Sequence, residues 1–113
     1  MTTSKLHSLR LEEILCYPED TVGICGVEWG SSEVVFRNKD GSNKAEIDVL
    51  FYTGRTYKFP YHVIEFKNSP HKRKQAIEQL QRGGREVRKY LNGDAHQYFV
   101  WRKRGIYVVE KLK

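Results

Sequence analysis

The feature that most constrains this chain is a pair of apolar strand patterns that each carry charged residues. Residues 45–52 read AEIDVLFY, and residues 61–67 read YHVIEFK. β-Branched and aromatic residues dominate both segments, which is typical of strands in a sheet. Asp48 lies inside the first segment, while Glu65 and Lys67 end the second. Because charged groups are costly in an apolar sheet unless they are paired, these three residues are candidates for a functional site.

Helices and further strands are predicted around these two segments. Spaced leucines indicate a helix at about residues 5–16, and an apolar stripe indicates a longer helix over 72–91. Within that helix, Gly83-Gly84 marks either a break or a close backbone approach. Strand signals also occur at residues 21–29, 33–37, 96–102 and 105–111. Residues 38–41, Asn-Lys-Asp-Gly, are a turn signal that predicts a hairpin with the strand at 45–52.

The elements together predict an α/β domain with a central mixed β-sheet flanked by helices, in the order α-β-β-β-α-β-β. A length of 113 residues predicts a single domain over residues 1–113, with one core and one site.

Period-two geometry is expected to bring the charged residues together. Glu65 and Lys67 share a face of their strand, and Asp48 lies on the face opposite to that of Ile47 and Val49. If the two strands pair in register, Asp48 and Glu65 are close enough to share a cation. A hard divalent ion such as Mg²⁺ relieves the repulsion between carboxylates and lowers the pKa of a bound water, which a nearby lysine can orient. The arrangement favours phosphodiester hydrolysis.

The segments AEIDVLFY, YHVIEFKNS and QAIEQL resemble the core motif of the PD-(D/E)XK nuclease superfamily, including Holliday junction resolvase-like and virus-encoded nucleases. The resemblance implies a restriction-endonuclease-like core. It also implies that Asp48 and Glu65 bind Mg²⁺ or Mn²⁺, that the Phe66 carbonyl adds a ligand, and that Lys67 serves the nucleophilic water. Ile47 stands where the family label has proline, and a long connection, TGRTYKFPY, separates the two strands.

The same resemblance implies one further site residue on each helix. An acidic residue of the first helix often joins the site in this family, and Glu13, with Glu12 as the alternative, is the match. A polar residue of the second helix often completes the site, and Gln79, or Gln75 one turn earlier, is the match. A solvated helix face is an equal interpretation of all four.

Basic residues give the chain a net charge of +6, which favours a polyanionic partner. Nucleic-acid affinity comes largely from neutralised phosphates, and the basic flank of the long helix is the predicted contact surface. Its residues are Lys72, Arg73, Lys74, Arg82 and Arg85, and Arg102, Lys103 and Arg104 at the final turn extend it.

The resulting prediction is a Mg²⁺-dependent or Mn²⁺-dependent deoxyribonuclease, an endonuclease in preference to an exonuclease, that cleaves DNA as a homodimer. The alternatives are a Holliday junction resolvase and a non-catalytic nucleic-acid-binding module that keeps the nuclease fold. The four histidines are scattered and are expected to be surface or structural residues. Isolated cysteines and the lack of a long apolar run predict a cytoplasmic protein without a membrane partner, in the host cytoplasm if the chain is virus-encoded.

Overall fold

The strands of the computed structural model, which describes residues 2–54 and 58–112, form a mixed five-stranded sheet in the order β1-β2-β3-β4-β5. The strands are β1 (Trp29–Arg37), β2 (Asn43–Tyr52), β3 (Tyr61–Phe66), β4 (Ala95–Lys103) and β5 (Ile106–Lys111). The helices are α1 (Thr2–Cys16), α2 (Pro18–Val22) and α3 (Arg73–Leu91), and a 3₁₀ turn (Pro70–Lys72) precedes α3. The predicted α/β domain with a mixed sheet and flanking helices is confirmed. Residues 55–57 of the long predicted connection lie outside the described residues.

Strands β3 and β4 run parallel, and the other neighbouring strands run antiparallel. Helix α3 connects β3 to β4, as a parallel pair requires. The two long helices cover opposite faces of the sheet. Leu11 of α1 packs in one apolar cluster with Val49, while Leu80 of α3 packs in another with Leu50. None of the described helices is both long and apolar enough to cross a membrane.

The prediction of a strand at residues 21–29 is wrong. Pro18 begins α2, Gly23 caps its end with a φ of 73°, and Gly26 has a φ of 71°. These left-handed residues turn the chain away from an extended path, and a strand begins only at Trp29. Ile24 is nevertheless buried in the cluster on the α1 side. The apolar pattern of residues 21–29 therefore predicts the burial of Ile24 correctly but not the backbone conformation.

The expectation that Ile47 and Val49 share a face is also wrong, because Ile47 packs in the α3 cluster and Val49 in the α1 cluster. The β1–β2 ladder leaves out Glu33 and Asp48, which lie opposite each other, and Glu33 has a φ of 54°. A left-handed residue without a glycine's freedom is uncommon and interrupts regular strand geometry. The side chains before and after Asp48 consequently point to opposite faces.

Helix α3 continues through Gly83-Gly84, so these glycines mark a close approach and not a break. A Cβ atom added at Gly83 would lie 2.8 Å from Cγ1 of Ile47. The absence of a side chain at Gly83 therefore lets α3 pack tightly on the sheet beneath it.

Candidate active site

The two strands that carry the candidate carboxylates separate at Asp48. Pairing between β2 and β3 ends at the pair of Val49 with Ile64, whereas β3 continues beside β4 as far as Phe66. At the resulting fork, Asp48 Oδ2 accepts a hydrogen bond from the Phe66 N–H at 2.8 Å. The carboxylate thus replaces the strand acceptor that this amide loses where β2 diverges.

Glu65 is the buried carboxyl group of the fork, with only 3% of the residue exposed. Its Oε2 atom lies 3.3 Å from Nζ of Lys67. Burial and then the negative charge of Asp48 raise the pKa of Glu65 to about 8, although Lys67 opposes the shift. The structure therefore brings Asp48, Glu65 and Lys67 together at the end of β3, in an environment that disfavours two ionised carboxylates.

The donor set of the fork suits a hard divalent cation. In a regular strand the N–H and C=O groups of one residue point to the same side, so the Phe66 carbonyl is expected on the side where its N–H meets Asp48. On α3, Gln79 Oε1 is buried and has no hydrogen-bond partner among the described residues. Within the described ranges, no three His, Cys, Asp or Glu side chains are grouped to hold a metal.

Two residues that the sequence does not single out, His7 and Glu33, also lie at the fork. His7 Nε2 is 3.3 Å from Asp48 Oδ1, and this hydrogen bond raises the pKa of His7. The rings of His7 and Phe66 also pack in a T-shaped arrangement, with their centroids 5.9 Å apart. Glu33 Oε1 accepts a hydrogen bond from Ser8 Oγ at 3.1 Å. No local pattern could have found these contacts, since they depend on how α1 crosses β1 and β2.

The helical residues implied by the resemblance are placed differently from one another. Glu13 accepts a hydrogen bond from the Tyr107 hydroxyl of β5, and it forms no metal-holding group with the fork carboxylates. Glu12 is exposed to solvent. Gln75 lines a cleft in front of the fork, and Gln79, one turn later, is partly buried. Of these four residues, Gln75 is the one that lines the cleft.

The cleft has a volume of about 580 Å³ and is lined by residues of α1, the end of β3, the start of α3 and the β4–β5 turn. Of the predicted nucleic-acid contacts on α3, Lys72 lines the cleft, and Arg73 instead pairs with Glu110 of β5 at 2.5 Å. Lys74 is exposed in the first turn of α3. Arg82 and Arg85 lie roughly 14 and 18 Å from Arg73 along the helix axis, given a rise of about 1.5 Å per residue.

Comparisons with models of known protein families and with curated proteins find no match for this chain. Its functional interpretation therefore depends on the residues of the site themselves.

Proposed function

We propose that this protein is an intracellular, metal-dependent nuclease of the PD-(D/E)XK type, with a restriction-endonuclease-like core, that hydrolyses DNA phosphodiester bonds. The observation that carries the proposal is the convergence of Asp48, Glu65 and Lys67 at the fork between β2 and β3. Burying one carboxyl group beside another destabilises a fold unless an ion or a proton compensates. A divalent cation would compensate this charge, and its bound water would be a group that Lys67 can orient.

Asp48, Glu65 and the Phe66 carbonyl would hold Mg²⁺ or Mn²⁺. When bound, such an ion supplies a water of lowered pKa and stabilises charge on a phosphate oxygen. Glu65 holds the Lys67 ammonium at 3.3 Å, where it can orient the attacking water and offset negative charge that develops on the phosphate. The Phe66 N–H fixes the orientation of Asp48.

DNA is the proposed substrate because the net charge of +6 favours a polyanion. Endonuclease action by a homodimer is part of the proposal, since cutting both strands of a duplex needs two sites and one small domain has one.

The test is incubation of the purified protein with linear duplex, single-stranded, nicked and four-way junction DNA, with Mg²⁺, with Mn²⁺ or with chelator. We expect cleavage only with metal, and loss of cleavage in Asp48→Asn and Glu65→Gln. Glu46→Gln is the matched control, because Glu46 is an exposed carboxylate of the same strand. Paired nicks in the junction with little cutting of linear duplex would identify a resolvase. Salt-sensitive binding without metal-dependent turnover would contradict the proposal and indicate a non-catalytic binding module.

A further inference from the structure

The cleft in front of the fork is lined by cations from α1, the 3₁₀ turn and the β4–β5 hairpin. Arg10 belongs to α1, Lys72 to the 3₁₀ turn, and Arg102 and Arg104 to the end of β4 and the turn after it. None of these four side chains forms an ion pair within residues 2–54 and 58–112. Among the residues that line the cleft, one, Glu33, has an acidic side chain. Converging cations without acidic partners repel one another, and a polyanion would relieve that repulsion.

The Arg102 guanidinium packs against the ring of Tyr107. The guanidinium carbon lies 5.5 Å from the centre of the Tyr107 ring, and the Tyr107 hydroxyl donates a hydrogen bond to Glu13. Arg102 Nε is buried and has no hydrogen-bond partner among the described residues. A guanidinium supported in this way is suited to phosphate oxygens, because less side-chain freedom is lost when it binds. Glu13 thus contacts the same Tyr107 side chain that lies against Arg102.

We propose that this cleft, and not the outer face of α3, seats the phosphodiester backbone of a nucleic-acid strand beside the carboxylate pair. His7 and Lys67 also line the cleft, and they contact Asp48 and Glu65 respectively, so a strand bound there lies next to the carboxylate pair. Arg82 and Arg85 of α3 are not among the lining residues. The inference deepens the proposed nuclease function, on which it rests for the meaning of the adjacent site, but the binding itself requires no turnover.

The experiment measures binding of fluorescent single-stranded and duplex DNA by anisotropy, in chelator and between 50 and 200 mM salt. One variant removes three cations of the cleft, through Arg10→Gln, Lys72→Gln and Arg104→Asn. Asparagine is chosen for Arg104 because this residue has a φ of 51°, which asparagine tolerates. The matched variant carries Arg82→Gln, Arg85→Gln and Lys103→Gln. Each variant lowers the net charge from +6 by three, so total charge does not distinguish them.

We expect the cleft variant to bind DNA at least about tenfold more weakly at 100 mM salt. The slope of log K against log salt concentration should become shallower by about 2 to 3. The matched variant should bind DNA no more than about threefold more weakly, because its cations do not line the cleft. An equal or larger loss in the matched variant would overturn the inference, as would the absence of DNA binding by the wild-type protein at low salt. If the triple variant does not fold, the single variants Lys72→Gln and Arg104→Asn test whether the cleft binds DNA. Each should make the slope of log K against log salt concentration shallower by about 1.

Failure of the inference and failure of the nuclease proposal have different signatures. A protein without metal-dependent cleavage whose DNA binding still depends on the cleft contradicts the nuclease proposal alone. An active nuclease whose binding depends on Arg82, Arg85 and Lys103 contradicts the inference alone.

Discussion

The Phe66 N–H donates a hydrogen bond to Asp48 Oδ2, so a residue proposed to hold a cation also closes the fork between β2 and β3. Asp48→Asn keeps an oxygen acceptor for this amide and removes only the charge. Asp48→Ala leaves the amide unpaired, which is expected to lower the free energy of unfolding by about 1–3 kcal/mol. Chemical denaturation of both variants without metal checks this, and equal stability of Asp48→Asn and Asp48→Ala would argue against a structural role for the carboxylate.

Lys67 is expected to act in turnover more than in metal binding. Lys67→Met keeps the apolar stem and removes the ammonium, so the cleavage rate at saturating metal should fall by about 10²- to 10⁴-fold. Stabilisation of the protein by Mn²⁺ against heat should persist. Lys44→Met is the control, since Lys44 pairs with Glu86 at 3.1 Å and not with Glu65. A Lys67→Met enzyme that cleaves at the wild-type rate would exclude this role.

Gly83 is expected to resist even the smallest side chain. Gly83→Ala places a methyl group 2.8 Å from Ile47 Cγ1, and this overpacking should lower the free energy of unfolding by about 1–3 kcal/mol, reduced by the better helix propensity of alanine. The three atoms nearest to a Cβ added at Gly84 all belong to the Gln97 side chain, and the closest is its terminal Nε2, which can move because this side chain is flexible. Urea denaturation should therefore rank Gly84→Ala as the more stable variant, and the reverse order would show that α3 adjusts easily.

His62 is expected to stay neutral under mildly acidic conditions. Thr53 Oγ1 donates to the Pro60 carbonyl at 3.1 Å, so it accepts from His62 Nε2 at 3.2 Å. This leaves His62 Nδ1 to accept from the Tyr98 hydroxyl at 2.8 Å. Burial, followed by the charges of His96 and Lys111, lowers the pKa of His62 from 6.5 to about 4.

Because the folded pKa of His62 is lowered, the unfolded chain binds a proton between pH 6.5 and 4 that the folded chain does not. The free energy of unfolding should therefore fall as the pH decreases through this range. His62→Gln, whose amide offers both an acceptor and a donor, should make that fall shallower by less than about 1.4 kcal/mol per pH unit, the limit for one proton. Because His62 is partly exposed, solvent screening keeps the change in this slope below the one-proton limit. Denaturation at pH 4.5, 5.5 and 6.5 measures the free energy of unfolding of the wild-type protein and of His62→Gln. An identical pH dependence in the two proteins would contradict the lowered pKa of His62.

The strands that carry the site could be predicted from sequence, because the β-branched and aromatic residues over 45–52 and 61–66 reflect burial, whereas period-two patterning fails at Asp48. The proximity of Asp48 to Glu65 follows from the pairing of successive strands. The left-handed conformation of Glu33 and the contact of His7 with Asp48 could not be predicted, since both arise from packing between distant segments. Charge content likewise does not show whether the arginines of α3 or those of the β4–β5 turn face the cleft.

The measurement that tests the proposed metal site most directly is calorimetric titration of Mn²⁺ and Mg²⁺ into the protein without nucleic acid. We predict one saturable site that Asp48→Asn and Glu65→Gln each weaken by at least about tenfold, a loss of some 1.4 kcal/mol. Glu46→Gln should bind as the wild-type protein does. Undiminished binding in Asp48→Asn and Glu65→Gln, or no binding by the wild-type protein, would contradict a metal site at the fork.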